Sequence, residues 1–321
     1  MLTRSGVARR ETPDGVIEIY YEDLGDPTDP PVLLIMGLGA QLPMWPDGFC
    51  AQLLDAGCRV VRFDNRDTGL SAKLHGRRAD GTSYRRAWRY LVGKTSAVPY
   101  TLGDMSEDAV ALLDHLDISR THVVGASMGG MIAQILAATE PDRVASLGII
   151  MSTTGKRFFA APPAWSVLKL AFDAPGKQAS AEQRLAFEVR NIAALNGPNF
   201  LPSHADLRKR VQRLAERGSY PAGMRRHVDA VLGTGSLLAY SKAITAPTVV
   251  LHGSADPMLR PRNGQAVAAA IPGARFVVVD GMGHDLPEPV WRPIVETLTE
   301  NFAQAPTVLP RACASPGDTP T

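Results

Sequence analysis

The sequence predicts an α/β protein built on a mostly parallel sheet, and three observations lead to this class. Short β-branched runs alternate with helical patterns along most of the chain, as expected of repeated strand–helix–strand units. Val32–Met36 is continuously apolar, which is typical of a strand buried on both faces. The 321 residues are 45% hydrophobic and 21% charged, a mixture that favours a globular chain with a well-buried core.

The elements in the first part of the chain follow from local patterns. Val16–Tyr21 predicts a strand, because β-branched and aromatic residues dominate it. Asp47–Ala56 has apolar residues at helical spacing, and Arg59–Phe63 predicts the next strand. Thr101–Asp117 predicts a helix, since it opens with the capping pattern Thr101-x-x-Asp104 and carries apolar residues on one face.

The same alternation continues in the second part of the chain. His122–Val124 predicts a short strand, Met131–Thr139 a helix that Pro141 stops, and Val144–Met151 another strand. The remaining elements are two strands and a closing helix: Thr248–Leu251, Arg275–Val279 and Val290–Phe302. Because the carboxyl ends of parallel strands meet at one edge of a sheet, we expect the functional side chains directly after strands.

One long segment interrupts the alternation between Gly155 and Ala246. It contains no convincing strand but three helical patterns: Ala181–Ala194, Asp206–Arg217 and Gly223–Leu232. Inserted helices above the carboxyl edge of the sheet would form a lid over a pocket, or they would only pad the fold. We therefore expect a core of residues 1–154 and 247–304, a helical cap of residues 155–246, and a disordered Pro-, Ser- and Thr-rich tail of residues 305–321.

Charge and cysteine content narrow the possible partners and locations. A formal net charge of +2 gives no reason to expect nucleic acid or an anionic membrane as the main partner. The three cysteines, Cys50, Cys58 and Cys313, are too few for a disulfide-built fold and fit a reducing compartment. Together with the absence of an apolar signal region in Met1–Arg10, this predicts a cytoplasmic protein.

Membrane, nucleotide and metal functions are not indicated either. Thr121–Thr139 lacks charge over about the length of a membrane span, but its glycines, Ser127 and Gln134 predict a strand, a sharp turn and a helix instead. No GxGxxG follows a strand, no GxxxxGK[ST] occurs, and no Cys/His cluster has metal-ligand spacing. The sequence thus predicts no cofactor and no integral membrane segment.

The strongest chemical motif is Gly125-Ala126-Ser127-Met128-Gly129, a G-x-S-x-G pattern between a predicted strand and a predicted helix. A strand that turns at once into a helix strains its middle residue and exposes that side chain at the sheet edge, while the flanking glycines let the two arms pass. Ser127 would then sit at a helix N-terminus, where N–H groups face developing negative charge. The alternative is a glycine-rich packing turn. We predict that Ser127 is a nucleophile.

A serine hydroxyl becomes a good nucleophile only when a base takes its proton. Seven histidines are present: His75, His115, His122, His204, His227, His252 and His284. His284 is the predicted base, because the glycines of Asp280-Gly281-Met282-Gly283 allow the loop after the last strand to carry the ring back over the sheet edge. His252 ends a strand but precedes a better acid, and His204 and His227 lie in the helical insertion.

An imidazole base needs a carboxylate to hold its tautomer and stabilise its charge. Asp256 follows the penultimate predicted strand, and the chain order Ser127, Asp256, His284 is the order expected on such a sheet. An Asp-Pro turn is the structural alternative for Asp256. Asp280 and Asp285 lie too close to His284 in sequence, and Asp64 and Asp67 precede the serine.

The reaction also needs N–H donors for an oxyanion. Met128, directly after the serine, would supply one backbone N–H. Leu38 would supply the other from the loop Gly37-Leu38-Gly39, because the two glycines allow the backbone to approach.

These motifs resemble the α/β-hydrolase family from about Val16 to Phe302. The resemblance rests on Met36-Gly37-Leu38, the run Arg62–Ser71, Gly125–Gly130, His252–Pro257 and Gly281–His284. The run Asp64–Ser71 and the ending Gly281–Pro287 are similar to the aclacinomycin methylesterase-like branch of serine esterases. Met36-Gly37 departs from the His-Gly of many members, at a position that shapes the loop without carrying the proton.

The resemblance implies an eight-stranded sheet flanked by helices with a helical cap. It also implies a Ser127–Asp256–His284 triad, Leu38 and Met128 as oxyanion donors, and hydrolysis of carboxylic esters without a cofactor. Serine at position 127 argues against relatives that use an aspartate nucleophile, the dehalogenases and epoxide hydrolases.

Several functional alternatives stay open. A C–C bond hydrolase, a lactonase and a perhydrolase could use the same triad, and a non-catalytic ligand-binding protein could use the same fold. The expected partner is a small-molecule ester with an apolar part, because the predicted cap is rich in apolar residues: Phe158, Phe159, Trp165, Leu168, Leu170, Phe172 and Phe200. The same residues could instead pack the cap onto the core. The sequence carries no signal for an oligomeric state.

Overall fold

Eight strands form one sheet in the computed structural model, which describes residues 2–155, 164, 167, 173, 176 and 178–305. The strands are β1 (Thr3–Thr12), β2 (Gly15–Leu24), β3 (Pro31–Ile35), β4 (Arg59–Phe63), β5 (Thr121–Ala126), β6 (Val144–Ile150), β7 (Thr248–Gly253) and β8 (Arg275–Val279). Their spatial order is β1-β2-β4-β3-β5-β6-β7-β8. The β1–β2 and β2–β4 pairs are antiparallel and all others are parallel, which confirms the predicted fold class.

Strand β1 was not predicted from the sequence. It pairs along its whole length with β2, from Thr3 opposite Leu24 to Thr12 opposite Gly15. Of its ten residues only Ala8 is buried. An exposed edge strand with almost no apolar side chain leaves no periodic signal, so only its pairing with β2 defines it.

Ten α-helices occur in the described part of the chain. They are α1 (Asp47–Asp55), α2 (Ser83–Leu91), α3 (Leu102–His115), α4 (Met128–Thr139), α5 (Ala181–Leu195), α6 (His204–Arg217), α7 (Pro221–Thr234), α8 (Leu238–Ala243), α9 (Pro261–Ala270) and α10 (Trp291–Phe302). The predicted helices are confirmed, whereas α2, α8 and α9 were missed. In α2 the buried residues are Arg86 and Tyr90 while Trp88 is exposed, so its pattern is the reverse of an ordinary surface helix.

Two hydrophobic clusters cover the two faces of the sheet. On β3, Leu33 and Ile35 belong to the cluster that includes residues of α3, α4 and α9. Val32 and Leu34 point the other way and join the cluster that includes residues of α1 and α10. The strand is therefore buried on both faces, which explains why its sequence is continuously apolar rather than alternating.

The uncharged stretch Thr121–Thr139 lies within this core. It forms β5, the single residue Ser127 and α4, as predicted, and its strand residues are all buried. Among the residues that the structure describes, no helix combines the length and the apolar character needed to cross a membrane.

The inserted helices α5–α8 lie between β6 and β7 in the chain, and buried ion pairs attach two of them to the rest of the fold. Arg217 of α6 lies 2.6 Å from Asp64, and Arg226 of α7 lies 2.7 Å from Asp67. Both aspartates belong to the loop after β4 and are wholly buried. Since separating such a pair would leave a carboxylate buried without its counter-charge, α6 and α7 are firmly fixed to this loop.

Other sequence predictions fall on residues outside the described part. These are the apolar cap positions Phe158, Phe159, Trp165, Leu168, Leu170 and Phe172, together with Cys313 and the predicted tail from residue 306 onward.

Candidate active site

Ser127 is the single residue between the end of β5 and the start of α4. Its backbone has φ 55° and ψ −120°, a left-handed conformation that non-glycine residues rarely adopt. A Cβ on Gly125 would lie 2.4 Å from the Gly129 carbonyl oxygen, and a Cβ on Gly129 would lie 2.0 Å from the Ile35 carbonyl oxygen. The glycines are therefore required by the close approach of three backbone segments, and the strained turn holds the serine side chain at the edge of the sheet.

His284 reaches this serine from the loop after β8. Its Nε2 lies 2.9 Å from Ser127 Oγ, and its Nδ1 lies 2.8 Å from Asp256 Oδ2. A carboxylate only accepts, so Nδ1 carries the proton and donates it to Asp256. Nε2 is then left unprotonated and accepts from the hydroxyl of Ser127. The imidazole is thus oriented to take a proton from the serine.

The loop that carries His284 is held by the inserted helices. The His284 N–H donates to the carbonyl of Leu195, the last residue of α5, at 2.7 Å. A Cβ on Gly283 would lie 2.3 Å from that same carbonyl oxygen. Glycine at this position therefore allows α5 to pack directly on the histidine loop, a contact that the sequence did not indicate.

Asp256 is 2% exposed, and both of its carboxylate oxygens are occupied. Oδ1 accepts from the N–H groups of Met258 and Leu259, both at 2.8 Å. Oδ2 accepts from His284 and also faces His252 Nε2 at 3.2 Å. Burial alone would raise the pKa of this carboxyl, but the charge of His284 and the hydrogen bonds from both histidines outweigh burial and hold the pKa well below its ordinary value. The carboxylate is therefore ionised at neutral pH.

His252 is a partner of this carboxylate that sequence reasoning missed, because it considered His252 only as a base. The ring is wholly buried, and its Nε2 lies 2.5 Å from the Leu259 carbonyl as well as 3.2 Å from Asp256 Oδ2. Both neighbours are acceptors, so Nε2 must carry the proton. The sequence did contain a signal for this contact: His252 lies four residues before Asp256, near the end of the strand that precedes the acid.

Two backbone N–H groups beside the serine have no acceptor among the described residues. Met128 is the first residue of α4, so no preceding turn of helix can accept from it. Leu38 follows Gly37, where a Cβ would lie only 3.1 Å from Ser127 Cβ, and within the described chain the Leu38 N–H donates to no acceptor. Their use as oxyanion donors belongs to the proposed mechanism.

The rival carboxylates have other partners. Asp280 accepts from Ser254 Oγ at 3.0 Å, and Asp285 accepts from the Gly283 N–H at 3.2 Å. Asp64 and Asp67 hold the arginines of the inserted helices. Among the described carboxylates, Asp256 alone bonds to the ring of His284.

The other histidines also lie elsewhere. The ring of His75 bonds to Tyr220, that of His115 to Tyr21 and that of His122 to Ser146. His204 is exposed at the start of α6. His227 bonds to the backbone of Gly39 and Arg66. Only the imidazole of His284 contacts Ser127 in the part of the chain that the structure describes.

Comparisons with known proteins identify the family of this chain. The profile of a family described as alpha/beta hydrolase fold matches residues 30–288. The chain belongs to the α/β hydrolase fold family. It is 29% identical over 300 residues to rhodomycin D methylesterase DnrP from Streptomyces peucetius, covering 88% of this chain and 94% of that protein. It is also 29% identical over 289 residues to the putative non-heme bromoperoxidase BpoC from Mycobacterium tuberculosis, covering 84% and 91% of the two chains.

Solved structures of other proteins share the fold of this α/β hydrolase. A hydrolase from Pseudomonas aeruginosa PA01 aligns with a TM-score of 0.68 at 25% identity, over 94% of this chain and 99% of that one. An esterase from Thermogutta terrifontis aligns with a TM-score of 0.67 at 23% identity, over 93% and 99%. The family and the methylesterase relatives together support a carboxylic ester hydrolase.

Proposed function

We propose that this α/β hydrolase cleaves carboxylic esters through an acyl-enzyme, with Ser127 as nucleophile, His284 as base and Asp256 as the residue that orients His284. The observation that carries the proposal is the continuous hydrogen-bonded line from Ser127 Oγ to His284, at 2.9 Å, and from His284 to Asp256, at 2.8 Å. The strained backbone of Ser127 supports it independently, because such strain persists only where the surrounding structure maintains it.

In the first half-reaction Ser127 Oγ attacks the ester carbonyl carbon while His284 Nε2 takes the hydroxyl proton. The imidazolium that forms is stabilised by the ionised carboxylate of Asp256. When the tetrahedral intermediate collapses, the C–O bond to the alcohol breaks, and the proton on Nε2 passes to the departing oxygen. The alcohol leaves, and the acyl group remains bonded to Ser127.

In the second half-reaction a water molecule takes the place of the alcohol. His284 Nε2 accepts a proton from the water as its oxygen attacks the acyl carbon. Collapse of the second intermediate breaks the bond to Ser127 Oγ, which regains the proton from His284, and the carboxylic acid leaves. The enzyme returns to its starting protonation state without any co-reactant other than water.

The N–H groups of Leu38 and Met128 are the proposed oxyanion donors in both steps. Their support is the position of Gly37 against Ser127 and the lack of a preceding helical turn at Met128. Each donor of this type contributes about 3–4 kcal/mol of transition-state stabilisation.

Residues 155–246 are proposed as a cap on a core formed by residues 1–154 and 247–304. The contact of Leu195 with the His284 loop and the Arg226–Asp67 ion pair support an insertion that packs on the His284 loop and on the loop after β4. Phe200 packs against the second hydrophobic cluster, which favours a structural role for this aromatic residue over pocket lining. We still propose that the substrate is an ester with an apolar part.

Methyl esters are the first substrates to test, because two relatives at 29% identity are methylesterases. A cytoplasmic location belongs to the same proposal. Cys50 and Cys58 support it as free buried thiols whose burial raises their pKa to about 11, so both stay protonated and unreactive.

The direct experiment measures hydrolysis of short methyl and p-nitrophenyl esters by the wild-type protein and by Ser127→Ala. We expect the alanine variant to lose at least about 10³-fold in kcat, since nucleophile and base act as a unit. Ser5→Ala, which changes an exposed serine on β1, should match the wild type. Full activity in Ser127→Ala would show that the nucleophile is misassigned.

Two further measurements separate the alternative functions. Stoichiometric labelling of the wild type, but not of Ser127→Ala, by a fluorophosphonate would exclude a non-catalytic ligand-binding protein. A panel of lactones, vinylogous diketones and peroxide-dependent reactions, compared by kcat/KM with the esters, would reveal a lactonase, a C–C bond hydrolase or a perhydrolase. Any of these activities above the ester activity would replace the ester in the proposal and leave the triad in place.

A further inference from the structure

His227 is a wholly buried histidine of α7 that the proposed mechanism does not use. Its Nδ1 lies 3.0 Å from the backbone nitrogen of Gly39, and its Nε2 lies 2.8 Å from the carbonyl oxygen of Arg66. Gly39 is in the loop after β3, and Arg66 is in the loop after β4. One ring from the inserted helices therefore joins the two loops that leave neighbouring strands of the sheet.

The two contacts fix the protonation state of this ring. A backbone N–H only donates, so Nδ1 must be an unprotonated acceptor, and a carbonyl only accepts, so Nε2 must carry the hydrogen. Burial is the main cause that lowers the pKa of His227 to about 4. The hydrogen bond to the Arg66 carbonyl and the charge of Asp67 oppose it, whereas the charges of Arg226 and Arg66 act in the same direction as burial. At neutral pH the ring is thus a neutral bridge with one donor and one acceptor, and both are satisfied.

The backbone atom that His227 holds belongs to the proposed oxyanion loop. Gly39 follows Leu38 directly and has φ 66°, a conformation that glycine adopts freely because it has no Cβ. Within the described chain the loop has one internal backbone hydrogen bond, from the Ala40 N–H to the Gly37 carbonyl at 3.2 Å. From outside the loop, Asn65 Nδ2 donates to the Met36 carbonyl at 2.9 Å before Leu38, and the bond from Gly39 to His227 restrains the backbone directly after Leu38.

The imidazole is itself rigidly placed. The preceding residue, Arg226, makes two hydrogen bonds to Asp67, at 2.7 and 2.8 Å. On the same helix, a Cβ on Gly223 would lie 2.2 Å from the Asp67 carbonyl oxygen, so α7 packs directly on the loop after β4. Since both the helix and its ring are fixed, the position of Gly39 is fixed as well.

We propose that His227 is a positioning residue for the oxyanion hole: its neutral ring links Gly39 to Arg66 and thereby holds the Leu38 N–H toward the oxygen that becomes charged beside Ser127. The proposal rests on the ester-hydrolase function proposed above. It assigns part of the oxyanion hole to the inserted helices, so these helices would contribute to the chemical step as well as covering the site. His227 does not touch the substrate in this role.

Two substitutions separate positioning from packing. His227→Gln keeps one acceptor and one donor at the end of the side chain, so it can accept from Gly39 and donate to Arg66. His227→Leu fills much of the same volume but offers neither. We expect the glutamine variant to keep kcat within about 3-fold of the wild type, and the leucine variant to lose about 100-fold, the cost of misplacing a catalytic group by about 1 Å.

The readout must show that the lost interaction belongs to the transition state. The loss in His227→Leu should fall on kcat with KM nearly unchanged. Binding of an alkyl boronic acid, which forms a tetrahedral anion on the serine, should weaken by a similar factor. Arg86→Met breaks a buried ion pair to Asp229 on the same helix and serves as the control, because it should lower the melting temperature without lowering kcat.

The outcomes distinguish this proposal from the proposed function. A His227→Leu protein with wild-type kcat overturns the positioning role, and so does a glutamine variant that is as impaired as leucine. If His227→Leu fails to fold, the activity of the glutamine variant and the nitrogen-15 chemical shifts of the wild-type ring test the positioning role instead. A protonated Nδ1 at pH 7 would contradict the bridge. If Ser127→Ala keeps the esterase activity, the proposed function fails, while the tautomer still tests the link to Gly39.

Discussion

Replacing His227 with glutamine removes a buried imidazole whose pKa, about 4, lies well below the ordinary value of 6.5. Between these two values the unfolded chain binds a proton at this residue and the folded protein does not. The wild type therefore loses folding stability as the pH falls through this range, and the loss is complete once the pH is below both values. Glutamine does not titrate, so the variant lacks this contribution.

The magnitude follows from the difference between the two pKa values. Each pKa unit corresponds to about 1.4 kcal/mol, so the full effect is about 3 kcal/mol, of which about 2 kcal/mol is already lost at pH 5. The ring is wholly buried, so solvent screening does not reduce this figure. The stability difference between wild type and His227→Gln should accordingly shift by about 2 kcal/mol in favour of the variant between pH 7.5 and pH 5.

Urea unfolding at pH 7.5, 6.5, 5.5 and 5.0 measures this shift directly. Comparison with the variant cancels the titration of all other groups, which both proteins share. His204→Gln changes an exposed histidine at the start of α6 and should run parallel to the wild type. Parallel curves for His227→Gln as well would refute the reasoning, because they would mean that the ring is protonated equally in the folded and unfolded states.

Three further substitutions test other parts of the structure. Asp256→Asn should lower kcat by about 10³–10⁴-fold in ester hydrolysis with little change in KM, because His284 loses the partner that fixes its tautomer. Arg226→Met should lower the free energy of unfolding by about 3–5 kcal/mol in urea titrations, because it leaves Asp67 charged and buried. Gly129→Ala should prevent folding or abolish activity, judged by circular dichroism and turnover, because its Cβ would lie 2.0 Å from a backbone oxygen.

Each of these has a matched control in the chain. Asp280→Asn changes one of the rival acids and should leave kcat unchanged, since its carboxylate bonds to Ser254. Arg208→Met breaks an exposed ion pair with Glu182 and should change stability little. Gly176→Ala places a Cβ where, apart from its chain neighbours, no atom of the described residues lies within 4 Å, and it should be tolerated. A control that behaves like its test variant would contradict the corresponding argument.

Local sequence patterns carried much of the fold. The strands β4 and β8 have the predicted bounds, and the helix α3 begins with the capping box that Thr101 and Asp104 predicted. The edge strand β1 and the helix α2 were missed, because neither presents an apolar face to the core. The conformation of β1 depends on its pairing with β2, which no local pattern contains. Helix α2 does carry local signals, the Thr82 cap and the helical spacing of Tyr84, Trp88 and Leu91, but these apolar residues are exposed rather than buried.

The candidate site divides in the same way. Ser127 and its glycines could be predicted because the strand, the single serine and the helix form one continuous local motif. The constraint on Gly125 is local, since its Cβ would meet Gly129, whereas the constraint on Gly129 comes from Ile35 of β3. His284 and Asp256 could be predicted only by their order along the chain. The folded sheet determines the distances from Ser127 to His284 and from His284 to Asp256. Their catalytic roles stay predictions.

The sequence by itself determined the α/β class, the parallel core and the turn that carries Ser127, because the patterns that indicate each of them lie in short stretches of the chain. Only the tertiary structure decided that His252 faces the acid and that His227, 188 residues from Gly39, holds the loop beside the serine. A buried histidine looks the same in a sequence whether it packs, orients or catalyses. The acceptor or donor that the fold brings to each ring nitrogen determines which of these it does.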